Sequence, residues 1–222
     1  MILKNRSNKE VFEKIAESWY RVMHWSRFSK ELKELSLRWQ EGRLLNIGCA
    51  HGPDFLPFKE KEFDLFGIDF SREMIRLAQR YAKKFNFSAN LVTADAADLP
   101  FSNATFNWVI AIATYHNIED RIQRQKAFKE LRRVLIPGGE AFITVWNRWQ
   151  PRFWLKGKEI EVSWRLSGEK IFRYYYLFTY SELQKELQKA GFQVISIFSE
   201  RYYSWPLRFF SRNICVLVSG VD

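Results

Sequence analysis

The residues with the clearest chemical use lie in short stretches that each end an apolar run. The first is Arg43-Leu-Leu-Asn-Ile-Gly-Cys-Ala-His-Gly52, where apolar residues give way to small ones and Gly48 and Gly52 bracket a short loop. Glycines there admit positive φ and let the backbone come close to a ligand, which a side chain would prevent. The second is Phe66-Gly-Ile-Asp69, about twenty residues on, whose carboxylate is placed to accept two hydrogen bonds from a ribose diol. The third, Ala89-Asn-Leu-Val-Thr-Ala, runs into Asp95-Ala96-Ala-Asp98, where Asp95 and the Ala96 amide suit the edge of an adenine ring. Asn46 and Ala50 in the first stretch, Phe70 after the second and Ala113 at the end of a fourth apolar run complete the ligand-side candidates. No Lys-Ser/Thr pair follows the loop and no third glycine stands at dinucleotide spacing, so a nucleoside fits better than a triphosphate or a dinucleotide.

To bring these groups together, parallel strands must deliver them to one edge of a sheet, beyond the carboxyl ends where α/β folds bind ligands. The pattern supplies such strands at about 43–48, 63–69, 89–94, 106–113, 140–146, 192–198 and 214–219. Between them the spacing predicts helices: two within 8–39, one capped by Ser71, one ending before Pro137-Gly-Gly139, and one opened by a Ser181/Gln184 capping box and closed by Gly191. Strands alternating with helices imply one doubly wound α/β domain over 1–222. From Arg148 to Arg173 the alternation is lost, and 148–178 reads as an insertion.

That insertion is basic and aromatic. Residues 148–173 hold seven Lys or Arg against three Glu, with Trp149, Trp154 and Trp164 interleaved, and Arg201, Tyr202, Tyr203, Trp205, Arg208 and Arg212 form a second such cluster. Cations neutralise phosphates and rings stack on unpaired bases, the mode by which single-stranded RNA is read. The net charge of +10 and 17% aromatic content favour a polyanionic partner, a Lys- and Glu-rich surface being the plain alternative. Two cysteines, Cys49 and Cys215, give neither a disulfide framework nor metal-ligand spacing. The first residues lack the apolar core of a signal peptide and no apolar run could span a bilayer, so a soluble cytoplasmic protein without membrane contact is expected.

Taken together, Leu-Asn-Ile-Gly-Cys-Ala-His-Gly, Gly-Ile-Asp69, Asp95-Ala96-Ala-Asp-Leu-Pro-Phe and Leu-Arg-Arg-Val-Leu-Ile-Pro-Gly-Gly resemble the class I S-adenosylmethionine-dependent methyltransferases, over residues 40–146 and the last two strands. The resemblance implies a Rossmann-like, seven-stranded, mostly parallel sheet with a final antiparallel strand inserted next to its edge, and S-adenosylmethionine as cofactor. The chain departs from the pattern at Asn46, where an acid is usual, and at Ala50, where glycine is frequent.

The flanks carry a narrower likeness. Ile15-Ala-Glu-Ser-Trp19-Tyr20, Ala113-Thr-Tyr-His116, Thr144-Val-Trp146, Val162-Ser-Trp164 and Arg173-Tyr-Tyr-Tyr-Leu-Phe178 look like the tRNA wobble-uridine carboxymethyl methyltransferases, which esterify 5-carboxymethyluridine. Departures fall at Met23, Ser163 and Tyr176, where that family often has Arg, Pro and His. The likeness implies a tRNA anticodon loop as partner and a small zinc-binding activator protein. A carboxylate acceptor is ionised at neutral pH and needs positioning more than a base. His116, Arg21 and Arg173 are the candidates to hold it. A small-molecule methyltransferase acting on a quinone or natural product, and a non-catalytic cofactor-binding subunit, are the competing readings.

Overall fold

The computed structural model describes residues 7–204 and 206–221, so Trp205 lies outside the described residues. The strands are β1 (Gly42–Ile47), β2 (Phe63–Asp69), β3 (Asn90–Thr93), β4 (Phe106–Ile112), β5 (Leu135–Trp146), β6 (Glu159–Leu166), β7 (Glu169–Tyr176), β8 (Phe192–Ser199) and β9 (Asn213–Gly220). The helices are α1 (Asn8–Val22), α2 (Ser29–Trp39), α3 (Arg72–Lys84), α4 (Arg121–Val134) and α5 (Tyr180–Lys189). Seven strands form one sheet in the order β3-β2-β1-β4-β5-β9-β8, parallel except for β9, which runs antiparallel to both neighbours. This is the Rossmann-like methyltransferase arrangement. The strand order reverses between β1 and β4, and the crevice for a ligand opens at that switch point.

Continuous apolar strands arise because both faces are covered. Leu45, Ile47, Val109, Ala111, Ile143 and Val145 face a core shared with Phe128 and Leu131 of α4. Leu44, Ile110 and Phe142 point the other way, onto Leu32, Leu35 and Trp39 of α2 and Ile75 of α3. Ser71 caps α3 by accepting the Met74 amide at 3.1 Å, which fixes the helix directly after the Asp69 strand tip.

Three readings of the sequence need correction. β5 begins at Leu135, with a register shift opposite Phe106 and Trp108, so the Pro137-Gly-Gly139 turn is an irregularity inside the strand. Thr179, not Ser181, caps α5; its hydroxyl accepts the Glu182 amide at 3.2 Å, and Gln184 takes no part in a capping box. The insertion also keeps its alternation. Ile160, Val162, Trp164 and Leu166 of β6 share the face that packs on Val11, Phe12, Ile15 and Trp19 of α1. β6 and β7 form a separate two-stranded sheet joined at Ser167-Gly168, both left-handed (φ 48° and 87°) as a tight two-residue hairpin demands. The hairpin leaves and rejoins the main sheet at one place, where Asn147 bridges Phe178 and the Arg148 amide donates to the Phe178 carbonyl at 2.7 Å. Among the described residues no helix is long and apolar enough to cross a membrane.

Candidate active site

The loop after β1 is held in an uncommon backbone conformation. Gly48, Ala50 and Gly52 all have positive φ (71°, 47° and 90°). The Thr114 hydroxyl, beyond the neighbouring β4, donates to the Ile47 carbonyl at 2.8 Å and fills the space where a Gly48 side chain would lie. Asp69 ties the loop to β2: Oδ2 accepts the Ala50 amide at 2.9 Å and Oδ1 the Ser71 amide at 3.0 Å. Each oxygen keeps a second lone pair for a donor such as a ribose hydroxyl. Burial pushes the Asp69 carboxyl up to about 6, against the opposing pull of its backbone hydrogen bonds.

Asn46 is fully buried at the tip of β1, and neither its amide nitrogen nor its oxygen has a partner. Such a group is costly unless a ligand completes it. Asp95 is exposed beyond β3, with one oxygen accepting the Ala97 amide at 2.8 Å; Ala96 is half-buried beside it. Phe70 packs against Phe12 of α1, ring centres 5.8 Å apart. Ala113 is left-handed (φ 55°), and its amide and carbonyl are taken by Thr144 and Asn117. Its left-handed turn leads the chain from β4 into the segment that carries His116.

Sequence reasoning passed over His51. It is buried between Tyr20 and Tyr81, ring centres 5.2 Å from each, with neither nitrogen hydrogen-bonded. The Met23 backbone nearby favours its proton without reaching hydrogen-bond geometry, and burial dominates, lowering the imidazole to about 4.

Beyond the ends of β4 and β5 lies a second group. His116 is 1% exposed, and its Nδ1 accepts the Trp146 amide at 3.3 Å. Burial, reinforced by Arg212 and Arg173, lowers it to about 3, so the ring is neutral and carries its proton on Nε2. Tyr175 stands edge-on to both His116 (4.9 Å) and Trp146 (4.4 Å). Arg173 is buried in a box of Trp19, Trp164 and Tyr175, 5.1–5.4 Å from the three rings, and donates to the Tyr175 hydroxyl at 2.9 Å. Its Nε, like that of Arg212, is buried without a partner. Arg152 and Arg212 lie 4.8 and 4.9 Å from the Trp146 ring centre. Among the described residues none of these three arginines meets a carboxylate. Arg21 is not in this group: it is exposed on the last turn of α1 and makes no hydrogen bond or ion pair among the described residues. Arg152 and Arg212, read from sequence as parts of two surface patches, stand in its place. No group of His, Cys, Asp and Glu among the described residues could hold a metal ion.

Residues 44–139 match the family model for a methyltransferase domain. A crystal structure of a S-adenosylmethionine-dependent methyltransferase from Clostridium acetobutylicum superposes with a TM-score of 0.75 at 14% identity, covering 96% of this chain and all of that one. The fold is that of the class I S-adenosylmethionine-dependent methyltransferases. A Burkholderia thailandensis N-methyltransferase with bound S-adenosylhomocysteine aligns with a TM-score of 0.69 (16% identity, 96% of this chain and 87% of that one). So does a chain from the complex containing the Haloferax volcanii Trm112 methyltransferase activator (0.69, 16%, 97% and 98%). Among sequence relatives, the human Probable tRNA methyltransferase 9B is 28% identical over 67% of this chain and 29% of its own length. The Arabidopsis thaliana tRNA (carboxymethyluridine(34)-5-O)-methyltransferase is 32% identical over 46% of this chain and 24% of its own. The Thermus thermophilus demethylmenaquinone methyltransferase is 30% identical over 53% of both. The chain thus spans under a third of the length of the human and plant relatives.

S-adenosylmethionine is the methyl donor named for the superposed Clostridium acetobutylicum enzyme, and the residues at the switch point fit it. The orphaned Asn46 amide, the backbone of the Gly48–Gly52 loop and the Asp69 carboxylate would hold its polar groups, and when bound it supplies an electrophilic methyl on a sulfonium.

Two expectations follow from this half of the methyltransferase. Ala50 sits where an L-residue costs about 1–2 kcal/mol, so Ala50→Gly should stabilise the protein by about 0.5–1 kcal/mol after the added freedom of the unfolded chain. Thermal unfolding with and without cofactor checks this; a lower melting temperature would show that the loop tolerates alanine without strain. Asp69 can serve as a double acceptor only when ionised. Its folded value of about 6 lies above the ordinary 3.8, so as pH falls through 6 the carboxyl protonates and cofactor affinity drops, approaching tenfold per pH unit. By the same shift the folded state gains stability relative to the unfolded chain as pH falls from about 6 toward 4. Calorimetric titration between pH 4.5 and 8 should show the affinity slope in the native protein and its loss in Asp69→Asn.

Proposed function

We propose that this methyltransferase esterifies a carboxylate, that of 5-carboxymethyluridine at the wobble position of tRNA. The observation that carries this reading is the trio Arg152, Arg173 and Arg212, without acidic partners, around a histidine that stays neutral. Arg173 is buried, Arg212 half-buried and Arg152 exposed; guanidinium groups without a counter-charge attract an anion, and charge-assisted bonds to a carboxylate are among the strong ones. His116 presents a fixed Nε2 donor and no free base nitrogen. An acceptor that must lose a proton is poorly served by that geometry, whereas an acceptor already ionised at neutral pH requires only orientation.

The residues then divide the work. Arg173, rigid in its aromatic box, and the Nε2 donor of His116 orient the acceptor carboxylate with one lone pair left for attack. Tyr175 and Trp146 wall the site and exclude water. The loop from Gly48 to Gly52, with Asn46 and Asp69, sets the position of the methyl donor opposite. Holding reacting atoms about 3 Å apart in line accounts for several orders of magnitude in rate.

The likeness to the plant wobble-uridine enzyme supports the RNA acceptor, while that to the menaquinone enzyme keeps a quinone-type acceptor as the second reading. A small zinc-binding activator is part of the proposal. β3 is an edge strand with Val92 exposed, a surface suited to strand addition by such a partner, and the match to the activator-containing complex supports it.

The test is transfer of labelled methyl from S-adenosylmethionine to tRNA bearing 5-carboxymethyluridine, with and without the activator, against the same tRNA lacking the carboxymethyl group. Label only on the carboxymethylated tRNA is expected. Transfer to a demethylated quinone and to no RNA would reject the reading.

A further inference from the structure

The two basic aromatic clusters recognised in the sequence, about fifty residues apart, form one surface. Phe209 lies between Trp149 and Tyr180 in a column of near-parallel rings, with centres 5.8 and 5.7 Å apart and planes inclined by 28° and 17°. Trp154 meets Phe210 at 5.6 Å. The Asn147 amide locks the two segments together by donating to the Phe209 and Ser211 carbonyls at 2.8 and 2.9 Å. The Arg148 guanidinium ties down the loop that carries Trp154 through the carbonyls of Phe153 and Lys156. The result is a fixed apolar surface facing solvent: Trp149 is 39% exposed, Trp154 55% and Leu155 fully.

This surface is continuous with the arginine trio. Arg152 precedes Trp154 by two residues and Arg212 follows Phe210 by two, and both guanidinium groups return to the Trp146 ring beside His116. What lies on the rings is therefore joined to what lies at His116 by way of two guanidinium groups. We propose that Trp149 and Trp154 are a stacking platform for an unpaired base next to the acceptor nucleotide, and that Arg152 and Arg212 hold the phosphate between them. This rests on the proposed RNA acceptor. Exposed aromatic and aliphatic groups beside cations also suit an anionic membrane, but a ring column that ends in a partly exposed tryptophan extends most directly by another flat ring.

The probe is an anticodon stem-loop carrying 2-aminopurine beside the target uridine, titrated with the full chain together with its activator. Stacking on tryptophan should quench the fluorophore on binding, and Trp154→Ala and Trp149→Ala should each remove quenching and weaken RNA affinity about 5- to 100-fold. Arg212→Gln should weaken affinity and lower the salt dependence by about one phosphate. Unaltered S-adenosylmethionine affinity in each variant checks that the fold is intact. Native affinity and quenching in both tryptophan variants would overturn the platform while leaving the methylation reading untouched. Quenched binding without methyl transfer would keep the platform and overturn the methylation reading. Binding of vesicles rich in anionic phospholipid, lost in the tryptophan variants while RNA binding persists, would assign the surface to a membrane and overturn the proposal.

Discussion

Replacing Arg173 by methionine should raise the melting temperature and nearly abolish methyl transfer. Arg173 is 5% exposed, has a partnerless Nε and meets no acid among the described residues; burial lowers its pKa despite the favourable nearby phenol of Tyr175. Replacing buried ionic groups by apolar side chains is neutral or stabilising by about 1–4 kcal/mol, offset in part by the lost bond to Tyr175 and the lost contacts with three ring faces. For a domain of this size the net gain corresponds to a rise of about 2–8 °C. If Arg173 orients the acceptor anion, the same change removes a buried charge-assisted contact, costing about 2–4 kcal/mol, or 30- to 1000-fold in kcat/KM. Opposite signs in stability and activity mark a residue kept for function. A destabilised variant with native kcat/KM would make Arg173 a structural member of the aromatic box and nothing more.

Gly48→Ala should lose cofactor binding by at least a hundredfold. A methyl there would lie 2.5 Å from Thr114 Oγ1 and 2.6 Å from Cγ2, at φ 71°. Thr114 has little room to turn aside, because its hydroxyl bonds the Ile47 and Ile112 carbonyls at 2.8 and 3.2 Å. The left-handed backbone contributes about 1–2 kcal/mol and the overlap a further 1–3 kcal/mol. The loop must shift to relieve the strain, and the methyl-donor site moves with it. Gly138 provides the internal control: its φ is 70°, but nothing lies within 4 Å of the position its Cβ would take. Gly138→Ala should carry the backbone cost alone and keep native cofactor affinity. Equal losses in the two variants would put the effect in the backbone and remove steric crowding as its cause. Recovery of binding in Gly48→Ala/Thr114→Ala would confirm the contact.

The cofactor half was legible because its signals are local. Gly48 to Gly52, the Asp69 strand tip and the Ser71 cap each lie within a few residues, and the order of the strands follows from their alternation with helices. The acceptor half is assembled by contacts of long range. Arg152, Arg173 and Arg212 reach one small region from a loop, a hairpin strand and the approach to β9, so in sequence two of them read as surface patches. β6 was hidden because its inward residues, Ile160, Val162, Trp164 and Leu166, alternate with charged ones inside a tract that composition marks as irregular. Arg21 illustrates the reverse. A basic residue near the expected helix end satisfied the pattern, but the turn on which it falls leaves it in solvent.

The closed stem of the hairpin makes the segment it carries separable from the sheet. Because residues 148–177 depart and return across the Asn147–Phe178 bridge, the central sheet has the same connectivity whatever the loop between them contains. The segment can be replaced as a cassette without rerouting any strand of the methyl-donor half. The contact of Trp164 with Trp19 and Ser18 of α1 sets the terms of such an exchange. The transplantable unit is hairpin plus first helix, two segments distant in sequence that must evolve together.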